Sequence, residues 1–153
     1  MLFRSPRRLI ALDADDLAVI STHVQDAAVR VRDIIWQPAE KRLVVGMNRL
    51  DWDQTLAGEV VPYLRVAALR FDRVLSCKSR HIDLDDSEAA LELLGIEFHP
   101  GAAPGGSAVL NFASGAALRL DVECLECELA DLGPDDLDAG DLDESAEPSG
   151  VGV

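Results

Sequence analysis

The sequence predicts an α+β domain: a mostly antiparallel sheet of about seven strands with two helices packed on one side. Three observations predict it. Several segments alternate apolar and polar residues with period two, as in Val29-Arg30-Val31-Arg32, which is the mark of a half-buried strand. Two segments open on aspartates with helical capping character, at Asp13 and at Asp85. The hexapeptide Ala67-Ala68-Leu69-Arg70-Phe71-Asp72 returns 49 residues later as Ala116-Ala117-Leu118-Arg119-Leu120-Asp121, which suggests a body of two related halves.

Residues 7–12 read as a first strand. Asp13 then caps a helix, with Asp15 and Asp16 in the first turn, where the helix dipole favours negative charge. Leu17, Ile20 and Val24 give this helix one apolar face, and it ends near Gln25. Strand signal runs from Val29 to Trp36. Turn character at Gln37-Pro38-Ala39-Glu40-Lys41 and the Val-rich segment Arg42 to Met47 complete a hairpin. After a polar excursion over 51–62, residues 63–78 form one long strand, with Ala67, Leu69, Phe71 and Leu75 on its apolar face.

The second half repeats this order in shorter form. Asp85 and Glu88 make a capping box, Ala90, Leu91 and Leu94 give the apolar side of a second helix, and Gly95 suits its C′ position. Ile96 to Phe98 is a strand, Pro100 to Gly106 a loop, and Ser107 to Phe112 a strand. Ser114-Gly115 makes a hairpin turn into a last strand from Ala116 to about Cys127. Trp36-Gln37-Pro38 answers Phe98-His99-Pro100, and Val44-Val45 answers Val109-Leu110. Residues 1–133 are therefore expected to form one globular domain, with pseudo-symmetric α-β-β-β halves at about 13–80 and 83–133.

The chain has 153 residues and a formal net charge of −14. Half of that charge comes from Asp135, Asp136, Asp138, Asp141, Asp143, Glu144 and Glu147, in a stretch from Pro134 to Val153 with no Lys or Arg. Such a segment has little to bury and is expected to be a disordered acidic tail. The body is acidic as well, which argues against nucleic acid and anionic membranes as partners. The apolar stretch after Arg4, Arg7 and Arg8 is too short for a signal peptide, and no run approaches the ~18 apolar residues of a membrane helix. Three cysteines without a spaced framework fit a reduced, cytoplasmic protein.

Cys124-Leu125-Glu126-Cys127 is one pair where a zinc site needs two pairs, or a pair and two histidines. Core packing is its simpler reading, and metal ligation by Cys124 and Cys127 the lesser one. His23, His81 and His99 do not converge in sequence, and no nucleophile elbow, phosphate-binding glycine loop or metalloprotease helix is present. No cofactor is expected. The leading site candidate is Asn48-Arg49-Leu50-Asp51-Trp52, because Arg and Trp dominate binding hot spots and strand-end loops often carry function. Set against that, Trp52 plugs the core and Arg49 pairs locally with Asp51. Arg70 and Arg119, each followed two residues on by an aspartate, recur on one strand face and extend the candidate binding set.

The segments Asp15-Asp16-Leu17, Gln25-Asp26-Ala27, Asn48-Arg49-Leu50-Asp51-Trp52, Ala68-Leu69-Arg70-Phe71, Val122-Glu123-Cys124 and Leu132-Gly133 together resemble an uncharacterised family of small bacterial proteins, domain-of-unknown-function family 2948. The resemblance covers roughly 9–133 and leaves the tail outside. It implies a bacterial, soluble, single-domain protein and brings no catalytic residue and no cofactor. The function expected is that of a non-catalytic cytoplasmic interaction module with a protein partner, bound through Asn48, Arg49, Asp51, Trp52, Arg70 and Arg119. The rival is a small-molecule enzyme or ligand-binding protein with a pocket between the halves. A zinc-binding protein is the third reading.

Overall fold

The computed structural model describes residues 8–50 and 64–132. Ten strands and one α-helix lie there in the order β1 (Arg8–Ala11), α1 (Ala14–His23), β2 (Ala27–Arg30), β3 (Ile34–Gln37), β4 (Arg42–Leu50), β5 (Leu64–Phe71), β6 (Val74–Arg80), β7 (Ala90–Pro100), β8 (Gly106–Phe112), β9 (Ala117–Val122) and β10 (Cys127–Asp131). The α+β expectation of about seven strands and two helices is thereby overturned in favour of a strand-dominated fold. Every strand pair is antiparallel. The hydrogen-bonded order is β1-β10-β5-β4-β2-β7-β8-β9-β6, with β3 sharing β4 alongside β2.

The second expected helix fails for a tertiary reason. Its capping-box residues form turns instead, with the Asp83 carboxylate accepting from the Asp85 N–H at 3.1 Å and the Asp86 carbonyl accepting from the Ala89 N–H. Glu88 reaches outward to Arg32 at 2.8 Å and Arg30 at 3.3 Å. From Ala90 onward the backbone pairs with β2, and Ala27, Ala28, Val29 and Arg30 face Leu93, Glu92, Leu91 and Ala90. A short apolar run fits either period, and the neighbouring strand decides it. Gly95 marks a bulge rather than a helix end, and there the Ile96 N–H donates to Ser21 Oγ of α1 at 2.9 Å. The first helix forms as its signals require: the Asp13 side chain accepts from the Asp16 N–H at 2.8 Å, and Leu17 and Ile20 are buried.

Both long strands are cut by a shared corner. Arg73 takes φ 64° between β5 and β6, and residues 123–126 bend between β9 and β10. The two bends are laced together by Asp72 N–H to the Glu126 carbonyl (3.0 Å) and Glu123 N–H to the Arg73 carbonyl (2.9 Å). A bulge between Val74 and Ser76 shifts the register just beyond. Leu75, expected on the apolar face, is the residue this bulge turns out, and it is 55% exposed. Past the corner the ribbon re-pairs as β6 with β9, so the inward residues of both arms meet in one cluster that includes Leu43, Leu69, Phe71, Leu110, Leu120 and Leu129.

The pairing register recurs in the two arms. Leu43, Val44 and Val45 face Phe71, Arg70 and Leu69, while Ala108, Val109 and Leu110 face Leu120, Arg119 and Leu118. Trp36 faces Leu43 as Phe98 faces Ala108. Cys127 faces Phe71 as Cys77 faces Leu120. β1 covers the outer edge of β10, whereas no strand pairs with the outer edge of β6 among the described residues.

Gly106, at the start of β8, has no room for a side chain. A Cβ there would lie 2.5 Å from the His99 carbonyl oxygen and 2.7 Å from Phe98 Cζ. Gly106→Ala is expected to lower stability by about 1–3 kcal/mol, as overpacking does, measured by urea unfolding.

Candidate functional site

Alternation along β4 sends Leu43, Val45, Met47 and Arg49 inward and Asn48 outward. Arg49 is only 1% exposed. Its Nε and Nη2 hold the two oxygens of Asp131 at 2.8 and 2.7 Å, and its Nη1 donates to the Leu50 carbonyl at 3.1 Å. Asp131 is the inward residue that follows Cys127 and Leu129 on β10. Arg65, directly opposite Arg49 in the β4–β5 register, brings its Nε to 3.9 Å from the same carboxylate. A bidentate, charge-assisted pair of this geometry offsets much of its own desolvation, and removing one partner strands a buried charge. Local pairing of Arg49 with Asp51 falls outside the described residues. Among those described, its carboxylate partner lies 82 residues away. One signal pointed to it: an aspartate on the apolar face of an alternating strand requires a buried cation. Asp51 and Trp52 lie outside the described residues.

Arg49→Ala is expected to cost about 3–5 kcal/mol in urea unfolding. Arg49→Met combined with Asp131→Leu is expected to recover part of that loss, because neither member of the buried pair is then stranded, although Arg65 loses its contact with the carboxylate.

Asn48 opens onto a different place. β2 and β4 pair only at Ala28 and Asn48, and where they part there is a groove of about 460 Å³. Among the described residues its walls include Arg30, Arg32, Asp33, Gly46, Asn48 and Leu132. Asp33 lies over β4 beside Gly46, where a Cβ would stand 3.4 Å from Asp33 Cβ, at van der Waals contact. Burial raises the Asp33 pKa above the usual carboxylate value, against the opposing pull of Arg32 and Arg30. Asp33 is a residue the sequence reading missed. The ionised carboxylate is the disfavoured form in the fold, so stability falls as pH rises from about 4 through the raised folded pKa. Asp33→Asn is therefore expected to stabilise the protein at pH 7 and to leave it nearly unchanged at pH 3, in thermal unfolding followed by circular dichroism.

Arg70 stands on the outward face of β5 in an alternating lattice. Arg8 meets Glu128 at 3.0 Å, Arg70 meets Glu128 at 2.6 Å and Asp72 at 2.9 Å, and Arg42 meets Asp72 at 2.7 Å. Burial pushes the Asp72 pKa up, but hydrogen bonds and charge from Arg42 and Arg70 prevail and hold it below the usual range. Arg8, Gln37, Arg42, Arg70 and Glu128 border a shallow depression of about 300 Å³ floored by Val44, Ala68 and Ala130.

Arg119 occupies the corresponding position on β9, with other neighbours. Its Nε lies 3.3 Å from Asp121, whose carboxylate also accepts from Ser76 at 3.0 Å and Ser107 at 2.9 Å. These hydroxyl bonds hold the Asp121 pKa down. Directly opposite Arg119 is Lys78, where the other arm places Glu128 opposite Arg70. Lys78, Arg80 and Arg119 flank a depression of about 280 Å³ over Val109 and Ala117. Neither Lys78 nor Arg80 makes an ion pair among the described residues.

The structure thus separates the predicted set. Arg49 is interior, Asn48 borders the groove between β2 and β4, and Arg70 and Arg119 lie on opposite arms. Cys127 is buried, and desolvation raises the thiol pKa of Cys127 and of Cys77. No group of three or more metal-ligating residues occurs among the described residues. His23 bonds the Val19 carbonyl and His99 bonds Glu97.

A family model described as protein of unknown function (DUF2948) matches residues 7–141. The chain belongs to this family. The match runs beyond the body expected from the resemblance, so Asp135, Asp136, Asp138 and Asp141 fall within it. No curated protein matches the chain, and no solved structure does. No helix among the described residues is long and apolar enough to cross a membrane.

Proposed function

We propose that this DUF2948 protein is a non-catalytic interaction module that takes an extended, acidic segment of a partner protein along β6. The observation that carries this reading is the pair of like charges at Lys78 and Arg119, directly opposite on the last strand pair of the sheet, where Arg119 has Asp121 beside it but Lys78 makes no ion pair among the described residues. Like charges directly opposite on neighbouring strands are destabilising, and they persist here in a chain of net charge −14. An acidic strand laid against β6 would relieve them, and its backbone would bond the edge of β6 that no strand pairs with among the described residues. The free cysteines fit a cytoplasmic setting. The recurring register supports reading the two arms as an ancient duplication, in which β1 closes one edge and leaves its counterpart for a partner.

The test is nuclear magnetic resonance of the full chain titrated with a ten-residue peptide of alternating aspartate and leucine. Amide shifts confined to Val74–Arg80, weakened by Arg119→Ser and by salt, are the expected result. The absence of shifts there would sink the reading. A second reading is a small-ligand site in the groove bounded by Asp33 and Asn48, favoured by the raised pKa of that carboxyl and its place between the arms. It predicts shifts at Asp33, Gly46 and Asn48 on screening small polar ligands.

A further inference from the structure

We infer that the resident occupant of the β6 edge is the chain's own acidic tail, which shields the site until a partner displaces it. This rests on the interaction-module reading and names the first segment to use that surface. Spacing, charge and reach support it.

Lys78 and Arg80 are two apart on β6 and share its outward face with Arg119 of β9. The tail contains Asp136-Leu137-Asp138 and Asp141-Leu142-Asp143, each with carboxylates two apart around a leucine. Added as a strand beside β6, the Asp141-Leu142-Asp143 triplet sets two carboxylates next to Lys78 and Arg80 and turns its leucine toward the Cys77 and Ser79 side. Among the described residues no strand pairs with the outer edge of β6 beyond Val74, whose N–H bonds the Lys41 carbonyl, while β1 covers the corresponding edge of β10.

The tail is long enough. Asp131 is level with Ala67, and from Ala67 the ribbon runs through β5, the corner and β6 to Lys78. That path is at most about 36 Å at 3.3 Å per residue, and the bend shortens it. Asp143 reaches about 40 Å from Asp131 at the same rise. The family match through Asp141 keeps one triplet, and the start of the other, within the shared part of the chain.

The sequence allows an unusually direct test, because Lys41 and Lys78 are its only lysines. The dilute full-length protein is treated with a zero-length carbodiimide at low salt, and the cross-links in the monomer fraction are mapped by mass spectrometry. The expected product joins Lys78 to a carboxylate between Asp135 and Glu147. Lys41 joined to Glu123, an existing 2.6 Å pair, is the internal control for an intact fold. Arg80→Ser with Arg119→Ser is expected to lower the Lys78–tail product about fivefold and to leave the control unchanged.

Coupling of Lys78 to body carboxylates alone, or no effect of the arginine substitutions, overturns the inference. Tail products found only in cross-linked dimers overturn it too, and assign the edge to the tail of a second copy. Replacing the tail carboxylates by amides in the full chain is expected to tighten binding of the alternating peptide. If the peptide binds β6 while the tail never couples to Lys78, this inference fails and the interaction-module reading stands. If neither occurs, both fail.

Discussion

The corner at Asp72-Arg73 and residues 123–126 sets the shape of everything else. A single antiparallel ribbon cannot enclose a core, because one of its faces is always open to water. Bending the ribbon across the two cross-linking amides, with Val74 N–H also tied to the Lys41 carbonyl at 2.9 Å, turns the apolar faces of both arms toward each other. Arg73 adds contacts to Glu126 at 3.5 Å and Glu123 at 3.9 Å, and Lys41 adds one to Glu123. These pairs are exposed and individually weak. The cross-strand amide bonds and the left-handed turn fix the bend, and the salt bridges decorate it.

Charge is used differently at three depths. In the interior, Arg49 and Asp131 form a pair whose geometry matters because water cannot substitute for either partner. On the outward face of the first arm, cations and carboxylates alternate from Arg8 to Arg42, so every charge has an opposite neighbour. On the second arm the alternation lapses at Lys78. The same register carries the same backbone pairing but a different side-chain sign at one position, Glu128 opposite Arg70 in one arm and Lys78 opposite Arg119 in the other.

Single elements were legible along the chain, although the balance of strands to helices was not. Asp13 as a cap, the hairpin through Lys41, and the inward set Ala67, Leu69 and Phe71 all follow from local chemistry and short periods. The turn at Ser114-Gly115, both at positive φ, follows as well. Where the reading failed, a distant partner decided the outcome. Ala90–Leu93 became a strand because β2 lay alongside, and Leu75 turned outward because of a bulge that no residue type announced. The site was legible only in part. Arg70 and Arg119 stood out by repetition, but the contrast between Glu128 and Lys78 is invisible until the register is known. Asp33 carried no signal, since the desolvation of its carboxyl comes from the fold around it and not from its sequence neighbours.

The placement of Asp131 has a temporal consequence. Arg49 must enter the interior beside a carboxylate that is 82 residues further along the chain. β5 and β1 both wait for β10, which is the final described element. Contacts of such separation close late and slow the approach to the native state. On a ribosome adding about 5–20 residues per second, Arg49 would stay in water for several seconds after emerging. The first arm can be sealed only after Asp131 has emerged, so the nascent chain carries Arg49 in water while the 82 residues between the two partners are made.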